Sequence, residues 1–260
     1  MSQSFEIIEF HHHNIKWFGL LENCISDCDN TTSSLGIIFL HGLGENRTGL
    51  NYIFSQISRK LADAGCKTIR FDLAGLGESM LPLSISIWKE QYKEVYKLLR
   101  NECKEIWTIC RGTGCLAIPE GEYGKIFALN PCSPEIFNQT KKNVLSKEID
   151  GIIEPNTKSA VEYYKFWNNL GVETESIGGL RISLDFFESI DHYVNSLRSN
   201  YHYICTNSEI DIYDSSTRLT VLGEDSLFRM ENERNMLIDY FLKGVECFGT
   251  EAAVNSNVWP

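Results

Sequence analysis

Glu105-Ile106-Trp107-Thr108-Ile109-Cys110-Arg111-Gly112-Thr113-Gly114 begins as an apolar run, Ile106 to Ile109, and ends among glycines. A short continuous apolar run bounded by turn residues predicts a strand buried on both faces, followed here by a sharp corner into a helix. Small residues on either side of such a corner let the two backbones approach, and the free N–H groups of the helix start point at whatever sits there. Two registers fit this stretch. In one, Cys110 is the corner residue, flanked by Thr108 and Gly112. In the other, Gly112 is the corner, Cys110 and Gly114 flank it, and no nucleophile is present. A strand must end at its corner and the apolar run ends just before Cys110, so the cysteine register is the favoured one.

Working outward, Leu35-Gly36-Ile37-Ile38-Phe39-Leu40 is a second continuous apolar strand, followed directly by His41-Gly42-Leu43-Gly44-Glu45-Asn46-Arg47-Thr48-Gly49. Apolar residues at helical spacing (Ile53, Phe54, Ile57, Leu61) predict a helix over 50–64. Thr68–Asp72 is the next strand, running into Arg70-Phe71-Asp72-Leu73-Ala74-Gly75-Leu76-Gly77-Glu78-Ser79, and 84–101 is an amphipathic helix. Taken together, the elbow, the His-Gly loop and the Arg-x-Asp-x-x-Gly-x-Gly-x-Ser segment resemble the α/β-hydrolase superfamily. The resemblance is to its cysteine-nucleophile version, as in dienelactone-hydrolase-like proteins and exosortase-associated hydrolases. It implies an α/β fold: a mostly parallel twisted sheet with helices on both faces, an N-terminal hairpin (5–10 and 15–21) and a small inserted cap. It also implies an oxyanion hole formed by the N–H groups of Leu43 and Arg111. Asp72 and Ser79 are expected to hold their loop rather than to react.

The 260 residues suit one such domain, with the cap at about 133–185 and a polar tail at 249–260. A net charge of −11, with no long Lys/Arg block, argues against nucleic acid and anionic membrane surfaces as partners. Nine cysteines without a disulfide-like spacing fit a reducing cytoplasm. Cys24 and Cys28 lack companions for a tetrahedral metal site, so neither a metal nor another cofactor is expected. His11-His12-His13 reads as a solvated hairpin tip.

Beyond the elbow, Lys125–Leu129 is a strand, 133–185 is aromatic-rich and helical, a helix is expected near 183–198, and Tyr201–Thr206 and Leu219–Gly223 are strands before a closing helix at about 230–244. The resemblance places the triad acid at Asp211. Where the superfamily has Asp-His after the last strand, this chain has Asp225-Ser226, so Ser226 stands in the place of the catalytic histidine. A cysteine tolerates that loss better than a serine, because its thiol ionises far more readily, helped here by a helix N-terminus and by Arg111. Without the imidazole there is no acid for a poor leaving group, which leaves thioesters and activated esters. His41, His192 and His202 are the substitute-base candidates, and His41 and Arg47 the candidate substrate contacts. The expected function is a Cys110-dependent acyl hydrolase or acyltransferase on a small or carrier-bound acyl substrate. The alternative is a catalytically silent binding protein of the same fold.

Overall fold

The structure, a computed structural model, describes residues 3–24, 35–131, 176–177, 180–181, 201–206, 219–224 and 227–248. The chain opens with a hairpin, β1 (Gln3–His12) and β2 (Ile15–Cys24), turning at His13 and Asn14. Then come β3 (Leu35–Leu40), α1 (Ile53–Asp63), β4 (Lys67–Phe71), α2 (Ile85–Arg100), β5 (Glu105–Arg111) and β6 (Lys125–Leu129). Strands β7 (Ser176–Ile177) and β8 (Leu180–Arg181) pair with each other. Strands β9 (Tyr201–Cys205) and β10 (Leu219–Val221) precede α3 (Glu231–Phe248).

Eight strands form one sheet in the order β1-β2-β4-β3-β5-β6-β9-β10, with β1/β2 and β2/β4 antiparallel and every other neighbouring pair parallel. The expected mostly parallel sheet, its N-terminal hairpin and the strand–helix alternation through residue 129 are all present. The cap at about 133–185, the helix near 183–198 and the tail at 249–260 lie outside the described residues, apart from the short β7–β8 pair.

Both faces of the sheet are sealed, which is why its central strands are apolar throughout rather than alternating. On one face α2 packs Trp88, Tyr92, Val95 and Leu99 against Ile38, Leu40, Ile69, Ile106 and Cys110. On the other, α1 and α3 pack Ile53, Phe54, Ile57, Leu237 and Phe241 against Ile37, Phe39, Trp107, Ile109 and Phe127. Along β5 the strand period of two sends Ile106, Thr108 and Cys110 toward α2, where Tyr92 Oη lies 2.9 Å from Thr108 Oγ1, and sends Trp107 and Ile109 the other way. A six-residue 3-10 turn, Gly112–Ala117, follows the corner where a full helix was expected.

Candidate functional site

The strand order reverses at β3: the chain steps from it to β4 on one side and then to β5 on the other. Crevices at the carboxyl ends of strands that diverge in this way are where open α/β sheets bind ligands. Two segments meet there, the His41–Gly49 loop after β3 and the corner after β5.

The corner residue is Gly112. Its φ is +53°, while Arg111 before it is still extended at φ −129° and ψ 139°. Strand β5 therefore runs two residues past its apolar run, because the ladders on both sides continue: Cys110 pairs with Leu40 and Ala128, and Arg111 with Leu129. This corrects the expected Cys110 nucleophile. Cys110 is 0% exposed, on the face covered by α2, with its Sγ 3.6 Å from the Phe127 carbonyl and 3.0 Å from Cys115 Sγ. Gly114 supports the same register, since a Cβ there would lie 2.4 Å from the His41 carbonyl oxygen and 2.5 Å from that of Leu40. Small residues thus flank Gly112 as an elbow demands, Cys110 on one side and Gly114 on the other.

The shift of register moves the other assignments too. Arg111 is not the residue after the corner and is not an oxyanion donor. As the next residue along the strand it points away from Cys110, and its Nη1 donates to Glu45 Oε1 in an ion pair whose side chains are only 10% and 8% exposed. The residue after the corner is Thr113, and its side chain meets Leu43: Leu43 N–H donates to Thr113 Oγ1 at 2.7 Å. An oxyanion hole needs that N–H aimed at empty space. Here a threonine hydroxyl occupies it. Thr113 was missed in the sequence because it takes this role only in the second register, where it follows Gly112.

The other candidates are structural. His41 is fully buried and uses both ring nitrogens, Nδ1 at 3.0 Å from the Gly42 carbonyl and Nε2 accepting Leu73 N–H at 3.0 Å. Burial holds its pKa below the ordinary value, so the neutral ring is favoured, and it is neither a free base nor a substrate contact. Arg47 is also corrected as a substrate contact: Nη1 donates to Asp72 Oδ2 at 2.5 Å and Nη2 to Glu78 Oε2 at 2.7 Å. Asp72 accepts in addition from the N–H groups of Arg47 (2.6 Å) and Glu78 (3.0 Å), the loop-fixing part expected of it. His202 sits on the α3 side of the sheet, 2.7 Å from Thr220 Oγ1 and 3.0 Å from Tyr240 Oη, across the sheet from Cys110. Asp211, Ser226 and His192 lie outside the described residues. Among the described residues no cluster of His, Cys, Asp and Glu is placed to hold a metal ion, and no helix is long and apolar enough to cross a membrane.

No family model matches the sequence, and no curated protein matches it. Solved structures match the fold along almost the whole chain. The monoglyceride lipase of Saccharomyces cerevisiae, solved as a soluble variant with a substrate analogue, superposes with a TM-score of 0.60 at 12% identity, covering 95% of this chain and 96% of that one. Est1E of Butyrivibrio proteoclasticus, solved with ferulic acid bound, gives 0.59 at 12% identity over 95% of this chain and 100% of its own. A dienelactone hydrolase from Anabaena variabilis gives 0.52 at 12% identity over 93% and 96%. At such identities the likeness shows the fold, and the fold is that of the α/β hydrolases.

Proposed function

We propose that this protein is a catalytically silent α/β-hydrolase-fold protein that binds an acyl compound, small or carrier-borne, without cleaving it. The observation that carries this reading is Gly112 at the corner with φ +53°, where the fold presents its nucleophile, and it has no side chain to attack with. The bond from Leu43 N–H to Thr113 Oγ1 supports it, because a developing oxyanion would have to displace that hydroxyl. Tyr52, just before α1, is 68% and Leu227 40% exposed, and Asn51 Nδ2 ties their two loops together by donating to the Leu227 carbonyl at 2.7 Å. Exposed apolar side chains on loops tied in this way suit an acyl chain better than a charged group. Fold likeness adds the precedent that Est1E holds ferulic acid and the yeast lipase a substrate analogue.

The test has two arms, both in a Cys247→Ser background so that the exposed thiol of α3 does not react. Incubation with p-nitrophenyl acetate, followed by intact mass and peptide mapping, is expected to leave no acyl group on any residue of the crevice. A thioether analogue of an acyl-pantetheine, which cannot be cleaved, is expected to raise the melting temperature in a saturable way. An acyl adduct mapped to Cys110 or Thr113 that turns over would overturn the silent reading. A melting temperature unmoved at millimolar analogue would overturn the acyl-binding one.

A further inference from the structure

Two reactive side chains meet across the Gly112 corner. Cys110, at the end of β5, and Cys115, on the 3-10 turn, bring their sulfurs to 3.0 Å, about 1 Å beyond a disulfide bond. Their exposures differ. Cys110 is sealed at 0%, its thiol donating to the Phe127 carbonyl at 3.6 Å, while Cys115 is only partly buried at the rim of the α2 core layer. An accessible thiol against a sheltered one is the arrangement of an attacking and a resolving cysteine.

We propose that Cys110 and Cys115 are a reversible redox pair, closing to an intramolecular disulfide across the Gly112 corner in response to a small-molecule disulfide. The Cys115 thiolate, having given its proton to solvent, attacks one sulfur of the small disulfide; an S–S bond forms, the old one breaks, and one small thiolate leaves. Cys110, deprotonated in turn, attacks Cys115 Sγ in the mixed disulfide and expels the second small thiolate. The two thiolates take up the two protons. Two cysteine thiols are oxidised by two electrons, one disulfide is reduced to two thiols, and an excess of small thiol runs the exchange backward.

The bond would enclose Arg111, Gly112, Thr113 and Gly114. It would therefore pin the segment whose Thr113 hydroxyl accepts from Leu43 N–H, stiffening the floor of the crevice. The other described core cysteines are poor competitors: burial pushes the Cys66 thiol up to about 12 and raises that of Cys103, and Cys205 is fully buried. The proposal stands apart from the acyl-binding reading, and its test does not use an acyl compound.

Trypsin makes the test direct, because Arg111 lies between the two cysteines and Lys104 and Lys125 bound them. The folded full-length protein is equilibrated with oxidised and reduced glutathione at graded ratios, quenched with an alkylating agent in denaturant and digested without reductant. The expected product at oxidising ratios is Glu105–Arg111 joined to Gly112–Lys125, lighter by two hydrogens than the sum of the free peptides and separated by reductant. In Cys115→Ser, whose substitution is at the partly exposed position, the joined species disappears and Cys110 stays alkylatable only after unfolding. Two separate peptides at every ratio, or a lasting glutathione adduct on Cys115 with Cys110 still reduced, overturns the proposal. Oxidation of Cys110 in the Cys115→Ser protein overturns it as well.

Discussion

At Gly112 the left-handed backbone and the space above it can be separated energetically. A Cβ built there meets nothing nearer than Gly42 Cα at 3.9 Å, so a side chain would cost conformational strain alone. Gly112→Ala is expected to destabilise the protein by about 1–2 kcal/mol. Gly114→Ala drives a methyl group to 2.4 Å from the His41 carbonyl oxygen, a backbone atom held by β3, and is expected to cost more, about 3 kcal/mol. Urea titrations of the two variants give the order, and a Gly112→Ala protein less stable than Gly114→Ala would contradict the geometry assigned to the corner. Leu43 and Thr113 illustrate the same scale: a single hydroxyl at 2.7 Å decides whether an N–H is available to a substrate.

At the scale of elements, the hairpin is fastened to the rest of the sheet by more than its β2–β4 ladder. Arg70 on β4 donates through Nη2 to Glu22 on β2 at 2.9 Å and through Nη1 to Ser55 on α1 at 2.8 Å, and Ser58 of α1 donates to the same Glu22 carboxylate. The Arg70 and Glu22 side chains are only 3% and 9% exposed. Removing one partner of a buried pair strands the other, so Arg70→Leu is expected to cost about 3–5 kcal/mol. The double variant Glu22→Leu/Arg70→Leu removes both charges and is expected to recover a large part of that loss. Chemical denaturation of the wild type, the single and the double variant decides it; a double variant less stable than Arg70→Leu would mean that the pair itself, rather than the stranded charge, sets the energy.

Across the whole molecule, His41 joins two loops from different strands, and its burial links folding to pH. Its folded pKa lies below the ordinary 6.5 because desolvation disfavours the imidazolium. The unfolded chain therefore takes up the proton first. The contribution is fully present above the unfolded pKa and is lost progressively as pH falls from that value toward the lower folded pKa, at a limit of about 1.4 kcal/mol per pH unit for one proton. His41→Gln lacks this linkage, so the stability gap between the wild type and the variant should narrow between about pH 7.5 and about pH 5.5. A gap independent of pH would show that His41 titrates alike in the folded and unfolded chain.

The strand–helix alternation, the His-Gly loop and the Arg-x-Asp-x-x-Gly-x-Gly-x-Ser segment were legible in the sequence, because a sheet covered on both faces demands continuous apolar strands and its loops demand particular residues at particular spacings. Asp72 could likewise be read as a loop anchor before its hydrogen bonds were seen. The register at the corner could not be settled in this way. Ile106–Ile109 marks where apolar side chains end, whereas a strand ends where its backbone pairing ends: β3 carries β5 on to Cys110 and β6 carries it to Arg111. Those two residues bury Cys110 against α2 and leave Gly112 at the corner. The sequence by itself determined which fold forms; only the pairing of neighbouring strands, a tertiary interaction, decided which residue that fold presents to its crevice.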